Sequence, residues 1–367
     1  MNGPHILDHL RVELADEVTS QPIVQHDSPP LEISPWAAMS LLQKAIRRGH
    51  AEWALRAAST LLSNSPERLW RRLGVIAFED IGVGDFDAIS LTVAGLKGKT
   101  LRAEIGGEWA VASYLISRMC RSAKCRAADD LTFVAEMHPA YERPRLDLTF
   151  RPVPRLLDVV CSDRSMIERS IALWHAIGTN RCPSDALRVR KGDPWPVMDA
   201  LCERGYPDTI VEVCREGLRK TNCILAQFVI LLWQEYQNTE SHVIPDAAPP
   251  ESMVGQVPGW CFDMHVREGK AAMARLIETS SHTARWLNDN LPRNKRSKTL
   301  EIALFRVESQ IVDRRVRWPL GDELRRMADL EAMGIEPGRM QELLDLLRNE
   351  LPLLDDLRRQ VITSNLR

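Results

Sequence analysis

The sequence predicts an all-α fold, and three observations lead to this prediction. Apolar residues recur at helical spacing through most of the 367-residue chain, as they do on the buried face of an amphipathic helix. Helix-start signals recur as well, because Ser34–Pro35 and Ser65–Pro66 each place a capping side chain before a proline in the first helical position. No segment alternates apolar and polar residues strongly enough to predict a sheet.

Three short helices begin the predicted fold after a polar N-terminus. The first begins at Pro35 and stops at Gly49, with Trp36, Met39 and Ile46 on one face. The second is HAEWALRAASTLLSN, and the third follows SPE and ends at the glycine of EDIG. Helices of this length with short connections predict a compact antiparallel unit.

The helical pattern continues towards the C-terminus with two interruptions. RPRLDLTFRP is the best candidate for an extended segment, since prolines flank it. NTESHVIPDAAPPESMVGQVPG is rich in proline and has no periodicity, which favours a linker or long surface loop. The predicted organisation is a polar arm over 1–30, a helical domain over 31–237, a proline-rich linker or loop over 238–260, and a C-terminal helical domain over 261–367.

Composition excludes some classes of protein. The net charge of −2 means that no global field attracts nucleic acid or an anionic membrane, so a nucleic-acid contact requires a local patch. The most apolar stretch, CILAQFVILLWQEY, is shorter than a membrane helix and predicts a buried core helix. Eight cysteines without a repeating frame, among them Cys120 and Cys125, predict reduced thiols in a cytoplasmic protein. We expect no metal site and no cofactor.

Two adjacent acids lie in LWRRLGVIAFEDIGVGD, and they raise the question of a catalytic or metal-binding pair. On a helical wheel Asp80 lies seven residues after Leu73 and therefore faces the core, while Glu79 lies to one side. A carboxylate that is buried, and that lies at the C-terminal end of the helix dipole, requires a cation. The first helix offers Arg47, so we predict a structural Arg47–Asp80 ion pair. A two-acid metal site is the weaker alternative, since a divalent cation requires more oxygen ligands.

Two other motifs suggest chemistry. GLKGKT fails the spacing of a phosphate loop, because Val93 stands where that loop has glycine. DMHVREG brings together Asp263, His265 and Glu268, which in principle supplies an acid–base pair. The competing interpretation is a helix start with local ion pairs, such as Asp263 with Arg267.

One run of the chain is strongly basic and is the candidate nucleic-acid interface. Such a run can contact phosphate backbone without reading sequence, although a charged run is more often a solvated loop. Its candidate residues are Arg293, Lys295, Arg296, Lys298, Arg314, Arg315 and Arg317.

Residues 36–85 resemble a known family. SLLQKAIRRGHAEWALRAASTLL and ERLWRRLGVIAFEDIGVGD are similar to the region after the ATPase core in replication-associated recombination protein A, the MgsA or Werner-helicase-interacting type of clamp-loader-like AAA+ ATPases. The matching positions are Ser40, Leu42, Lys44, Ile46, Arg47, Arg71, Arg72, Leu73, Glu79, Asp80, Ile81 and Gly82. SRMCRSAKCRAADDL, with Ser122 and Lys124, extends the resemblance loosely to about residue 135.

The resemblance implies a helical bundle like a clamp-loader collar, followed here by a second helical block. In the family this region oligomerises beside a motor that acts at stalled forks and on single-stranded DNA ends. About 35 residues precede the match, and they contain no phosphate loop or Walker B strand, so nucleotide hydrolysis is not expected of this chain.

Three functional hypotheses follow. The first is a non-catalytic, homo-oligomeric helical scaffold in DNA replication, repair or a mobile-element process, which touches DNA backbone through the basic run and partners a replication or repair protein. The second is an adaptor that binds another protein through tryptophans and the C-terminal amphipathic helices over 339–362. The third is an enzyme that uses Asp263 and His265. None of the three places the chain in a membrane.

Overall fold

The structure is a computed structural model, and it confirms the all-α prediction. Helices account for 72% of the chain and strands for 3%. The structure describes residues 6–21, 29–328 and 337–365.

Twenty helices are found in these ranges. The first ten are α1 (Ile6–Ser20), α2 (Pro35–Arg47), α3 (Ala51–Asn64), α4 (Pro66–Ile76), α5 (Phe86–Gly95), α6 (Lys99–Glu104), α7 (Glu108–Arg121), α8 (Ala127–Met137), α9 (Glu142–Thr149) and α10 (Val153–Val160). The other ten are α11 (Met166–Ile177), α12 (Pro194–Glu203), α13 (Asp208–Thr221), α14 (Leu225–Gln237), α15 (Arg267–Ile277), α16 (His282–Asn290), α17 (Arg293–Leu304), α18 (Pro319–Arg326), α19 (Pro337–Asn349) and α20 (Leu351–Asn365).

Four short strands form two antiparallel pairs among the described residues. The strands are β1 (His242–Ile244), β2 (Met253–Val254), β3 (Val257–Pro258) and β4 (Arg315–Arg317). Strand β1 pairs with β4, and β2 pairs with β3.

The chain divides into two compact units. The first contains α1, the chain from Trp70 to Ile244, and the chain from Arg315 through α18. The second contains α2, α3 and the chain up to Leu69, then the chain from Pro245 to Arg314, and finally α19 and α20. Each unit thus takes segments from both sides of the predicted linker, and the predicted helical domain over 31–237 is divided between the two.

The start of the chain differs from the predicted polar arm. Residues 6–20 form α1, which packs against α5 in the first unit. Leu7, Leu14 and Val18 are buried. Their spacings of seven and four residues place them on one face of a helix, and this face outweighs the polar composition of the segment.

Two other predicted irregular segments also differ. RPRLDLTFRP forms α9 instead of an extended segment, because Pro144 lies in the first turn, where a helix needs no backbone donor. The predicted linker over 238–260 contains β1, β2 and β3, and Trp260 within it is buried. Short paired strands and a buried aromatic therefore interrupt the segment, while residues 245–252 between them contain no helix or strand and are mostly exposed.

The first predicted helices are confirmed. Ser34 accepts a hydrogen bond from the Ala37 amide, and Pro35 occupies the first position of α2. Met39 and Ile46 are buried, whereas Trp36 is exposed beneath the guanidinium of Arg68. Among the described helices, none combines the length and apolar character needed to cross a bilayer.

Candidate functional site

A buried acidic cluster surrounds Arg126 in the first unit and includes both acids of EDIG. Asp80 is fully buried, as its position on the helical wheel predicts, and its carboxylate accepts a hydrogen bond from Arg126. The same guanidinium binds Glu79 at 3.2 Å and also binds Asp129. Arg126 begins the turn before α8, and the three acids approach it from two elements.

The backbone around EDIG explains how the acids reach this position. Helix α4 continues as a π-helical turn over Ala77–Ile81 before the chain turns at Gly82. Gly82 has φ +50°, and a Cβ there would lie 2.2 Å from the carbonyl oxygen of Cys125. Only glycine allows the EDIG turn to approach the start of α8 so closely, and this approach places Arg126 beside the acids.

The carboxylates of the cluster hold Arg126 in its charged form. Burial alone would lower the pKa of Arg126, but the carboxylates of Asp129, Asp80 and Glu79 raise this pKa well above its usual value. An arginine fixed in its charged form compensates the buried acids. Within the described ranges, no group of three or more His, Cys, Asp or Glu side chains is arranged to hold a metal ion. The shared contact with Arg126 gives the EDIG acids the geometry of an ion cluster.

Sequence reasoning missed Arg126 as a partner of Asp80. The available signal was weak: Arg126 and Asp129 are three residues apart and thus face each other on a helix, but nothing local links them to residue 80. The cation chosen from the sequence, Arg47, donates a hydrogen bond to the carbonyl oxygen of Ser309 in the second unit. Arg47 and Asp80 belong to different units, and the ion pair between them stays a prediction.

The DMHVREG segment lies in the second unit, where Asp263 is fully buried against α2. The Nζ atom of Lys44 lies 2.8 Å from Oδ2 of Asp263 and 2.7 Å from the hydroxyl of Ser40. Burial would raise the pKa of Asp263, but the Lys44 ammonium and then His265 hold it below its usual value. Asp263 thus pairs with Lys44, whereas the sequence suggested Arg267 as its partner.

His265 and Glu268 do not complete an enclosed acid–base site with Asp263. The side chain of His265 is exposed, and its backbone amide donates to Asp263 at 2.9 Å. Glu268 is half-buried in the first turn of α15. A general base must be held beside the reacting group in a protected site, and an exposed imidazole does not meet that condition.

The first half of the basic run lies at the N-terminus of α17. Arg293, Lys295 and Lys298 are exposed, and the first turn of α17 contains no acid. Arg296 is half-buried and donates to the carbonyl oxygen of Leu291 at 3.0 Å. Three cations are therefore displayed to solvent on two turns of one helix.

The structure adds one cation that the sequence analysis did not include. Arg339, in the first turn of α19, is exposed and donates a hydrogen bond to the side chain of Asn290 at the end of α16. Because α17 begins only three residues after Asn290, Arg339 lies at the same corner of the second unit as the basic residues of α17.

The second half of the basic run is arranged differently. Arg314 is exposed in the second unit, whereas Arg315 and Arg317 belong to β4 in the first unit. Arg315 is buried, and Arg317 is half-buried and binds Asp322. Helix α17 continues only as a π-helical turn over Phe305–Ser309, so these three arginines do not extend the α17 surface along one helix face.

The C-terminal amphipathic helices use their apolar faces internally. Leu343, Leu347 and Leu354 are fully buried, and so is Arg358, which binds Glu308 at 2.7 Å. The apolar faces of α19 and α20, which the adaptor hypothesis requires to be exposed, pack in the core of the second unit.

Comparison of the chain with protein-family models, with curated proteins and with solved structures returned no match.

Proposed function

We propose that this protein is a non-catalytic helical scaffold that binds DNA through its phosphate backbone at the N-terminus of α17. The observation that carries the proposal is the display of Arg293, Lys295 and Lys298 without compensating acids in the first turn. Arg293 and Lys295 form no ion pair with the described part of the chain, and Lys298 has one contact of 3.9 Å with Glu301.

The position of these cations is unfavourable for the free protein. The N-terminus of a helix carries a partial positive charge, so each cation in its first turn costs about 0.3–1 kcal/mol. The same arrangement is favourable for a polyanion, because helix amides and side-chain cations attract phosphate oxygens together. Exposed cations that destabilise a helix end, with no acid nearby to offset them, are typical of a surface that binds an anion.

The proposed setting is replication, repair or a mobile-element process, and the proposed assembly is a homo-oligomer. The resemblance of residues 36–85 to the region after the ATPase core supports both. Light scattering of the purified chain tests the oligomer, and a monomer at micromolar concentration would contradict it.

DNA binding is tested with a charge-matched pair of variants. The test variant is Arg293→Ala/Lys295→Ala/Lys298→Ala, and the control is Arg68→Ala/Arg267→Ala/Lys270→Ala. All six side chains are exposed and lie in the second unit, so both variants lose the same charge. Fluorescence anisotropy of labelled duplex and forked DNA, titrated over a range of salt concentrations, provides the measurement.

The test variant is expected to lose three phosphate contacts. The slope of log K against log salt should fall in magnitude by about 2 to 3, and affinity near 0.1 M salt should fall by roughly a hundredfold. The control variant should retain the wild-type slope. Wild-type protein that binds no DNA even at low salt would refute the proposal, and so would equal losses in the two variants.

A further inference from the structure

An exposed apolar surface lies in the first unit, where α9 ends. Leu146 and Phe150 are four residues apart on the same face, and their exposed fractions are 59% and 76%. The guanidinium of Arg188 lies over the Phe150 ring, 5.4 Å from its centroid. We call Leu146, Phe150 and Arg188 the α9 surface.

The loop over 178–192 supplies Arg188 and is held closely at its ends. Gly178 has φ +106°, and a Cβ on it would lie 2.5 Å from the amide nitrogen of Gly192, so the two ends of the loop touch. Inside the loop, the hydroxyl of Thr179 donates to the carbonyl oxygen of Arg188 at 2.7 Å. A loop closed in this way resembles a compact Ω-loop, which presents its outer side chains with little conformational freedom.

Arg190 fixes this loop to α9. Its Nη1 atom donates to the carbonyl oxygens of Thr149 at 2.8 Å and of Arg151 at 2.7 Å. Val189, which precedes it, is 84% exposed. Two separate chain segments are therefore joined in advance into one surface, and a partner would not have to order them on binding.

The two chain segments that form the α9 surface carry a charge opposite in sign to that of the whole chain. Segments 142–155 and 181–191 contain eight cations and three acids, a local charge of +5, whereas the chain carries −2. The cations are Arg143, Arg145, Arg151, Arg155, Arg181, Arg188, Arg190 and Lys191. Arg143 is paired with Asp147 and Arg155 with Asp158, whereas Arg151, Arg188 and Lys191 are exposed cations of the same two segments. Exposed apolar side chains beside exposed cations are typical of the centre and rim of a protein–protein interface.

We propose that the α9 surface is the docking site for an acidic segment of a partner protein that carries an apolar anchor residue. The anchor would pack on Leu146 and Phe150, and carboxylates of the same segment would bind Arg188 and the exposed cations of the same two segments. This inference is independent of DNA binding at α17, because it concerns other residues in the other unit.

The apolar composition favours a protein over a nucleic acid as the occupant. Leu146 and Val189 offer no plane on which a base could stack, and Arg188 already covers one face of the Phe150 ring.

The test selects short random peptides displayed on phage against the immobilised full-length chain. Enriched peptides are then synthesised with a fluorescent label and measured by anisotropy against wild type, Phe150→Ala and Arg188→Glu. The controls are Val12→Ser and Arg121→Glu, which change an exposed apolar residue and an exposed arginine elsewhere in the same unit. Unchanged melting temperatures establish that all variants fold.

We expect the selected peptides to combine several Asp or Glu residues with one aromatic or leucine residue. Their affinity should fall about tenfold or more in Phe150→Ala and in Arg188→Glu, remain unchanged in both controls, and weaken with salt. Peptides without acids, or affinities that the two surface variants leave unchanged, would overturn the proposal.

Two further measurements exclude other occupants. Labelled oligodeoxythymidylate that binds wild type and loses affinity only in Phe150→Ala would assign the surface to single-stranded nucleic acid and overturn the proposal. A change in oligomeric state of Phe150→Ala by light scattering would assign it to a second copy of this chain, with the same consequence. If neither changes while peptide binding is lost, the acidic partner is supported.

Discussion

Replacement of Asp80 by asparagine should destabilise the first unit, and the structure sets the size of the effect relative to its neighbours. The three acids bound to Arg126 differ in the exposed fraction of their side chains, which is 0% for Asp80, 18% for Glu79 and 37% for Asp129. A charge is compensated by water in proportion to its exposure, so the cost of losing each ion pair should follow the same order.

The magnitudes follow from the environment of each acid. Asp80→Asn removes a fully buried charge while Arg126 keeps two other carboxylates, which places the cost near the lower end of the range for broken buried pairs, about 3 kcal/mol. Asp129→Asn alters a pair that water partly screens, and it should cost less than about 1 kcal/mol. Arg126→Met leaves three acids without their shared cation and should cost about 4 kcal/mol or more.

Thermal unfolding followed by far-ultraviolet circular dichroism gives the ranking. For a unit of this size about 1 kcal/mol corresponds to 2–4 °C, so Asp80→Asn should lower the melting temperature by roughly 6–12 °C and Asp129→Asn by less than about 4 °C. A melting temperature of Asp80→Asn within error of wild type, or an effect of Asp129→Asn as large as that of Asp80→Asn, would refute the reasoning.

A double-mutant cycle separates the two proposed partners of Asp80. Combining Asp80→Asn with Arg126→Met should cost clearly less than the sum of the single substitutions, because both remove the same contact. The equivalent cycle with Arg47→Met tests the ion pair predicted from the sequence. Additive effects in that second cycle would exclude Arg47 as an energetic partner of Asp80.

Two further predictions concern other buried charges. Burial, followed by the nearby Arg190 guanidinium, lowers the pKa of His175 from its usual 6.5 to about 4; because the unfolded chain takes up a proton that the folded chain does not, the free energy of unfolding should fall by up to about 3 kcal/mol as pH falls from 6.5 to 4, and a urea titration of His175→Leu should lose this slope. Lys44→Met or Asp263→Asn alone should destabilise the second unit by about 3–5 kcal/mol, since each leaves one buried charge unpaired, whereas Lys44→Met/Asp263→Leu should recover most of the loss in urea unfolding.

Local patterns in the sequence predict the helices, but they do not predict which distant residues contact each other. Helical spacing placed Asp80 in the core, and capping residues located the start of α2, because both signals act within a few residues. The contact between Asp80 and Arg126 spans 46 positions, and the pairing of β1 with β4 joins segments more than 70 residues apart. A rule that acts within a few residues cannot identify contacts over such separations in sequence. The strand within 238–260 that pairs with β4 and the contact between Asp80 and Arg126 were therefore not predicted.

The composition of short segments also misled where one face outweighed the average. Residues 6–20 are polar overall, yet Leu7, Leu14 and Val18 are enough to pack α1. RPRLDLTFRP has proline in its first turn, where a helix tolerates it, and the remaining residues determine α9. In α1 the spacing of three apolar residues, and in α9 the place of proline in the first turn, determine the structure. The overall composition of the segment does not.

Charge compensation separates the structural motifs of this chain from its candidate binding surfaces. Arg126 binds the acids of EDIG, and Lys44 binds Asp263 of DMHVREG, so the buried acids of these two motifs are held in ion pairs. Three cations of α17 and five cations of the two segments at the α9 surface are exposed, and cations outnumber acids in each of these segments. An exposed charge without a nearby opposite charge does not stabilise the fold, and a cation in the first turn of a helix destabilises it. We therefore expect binding partners at these two surfaces.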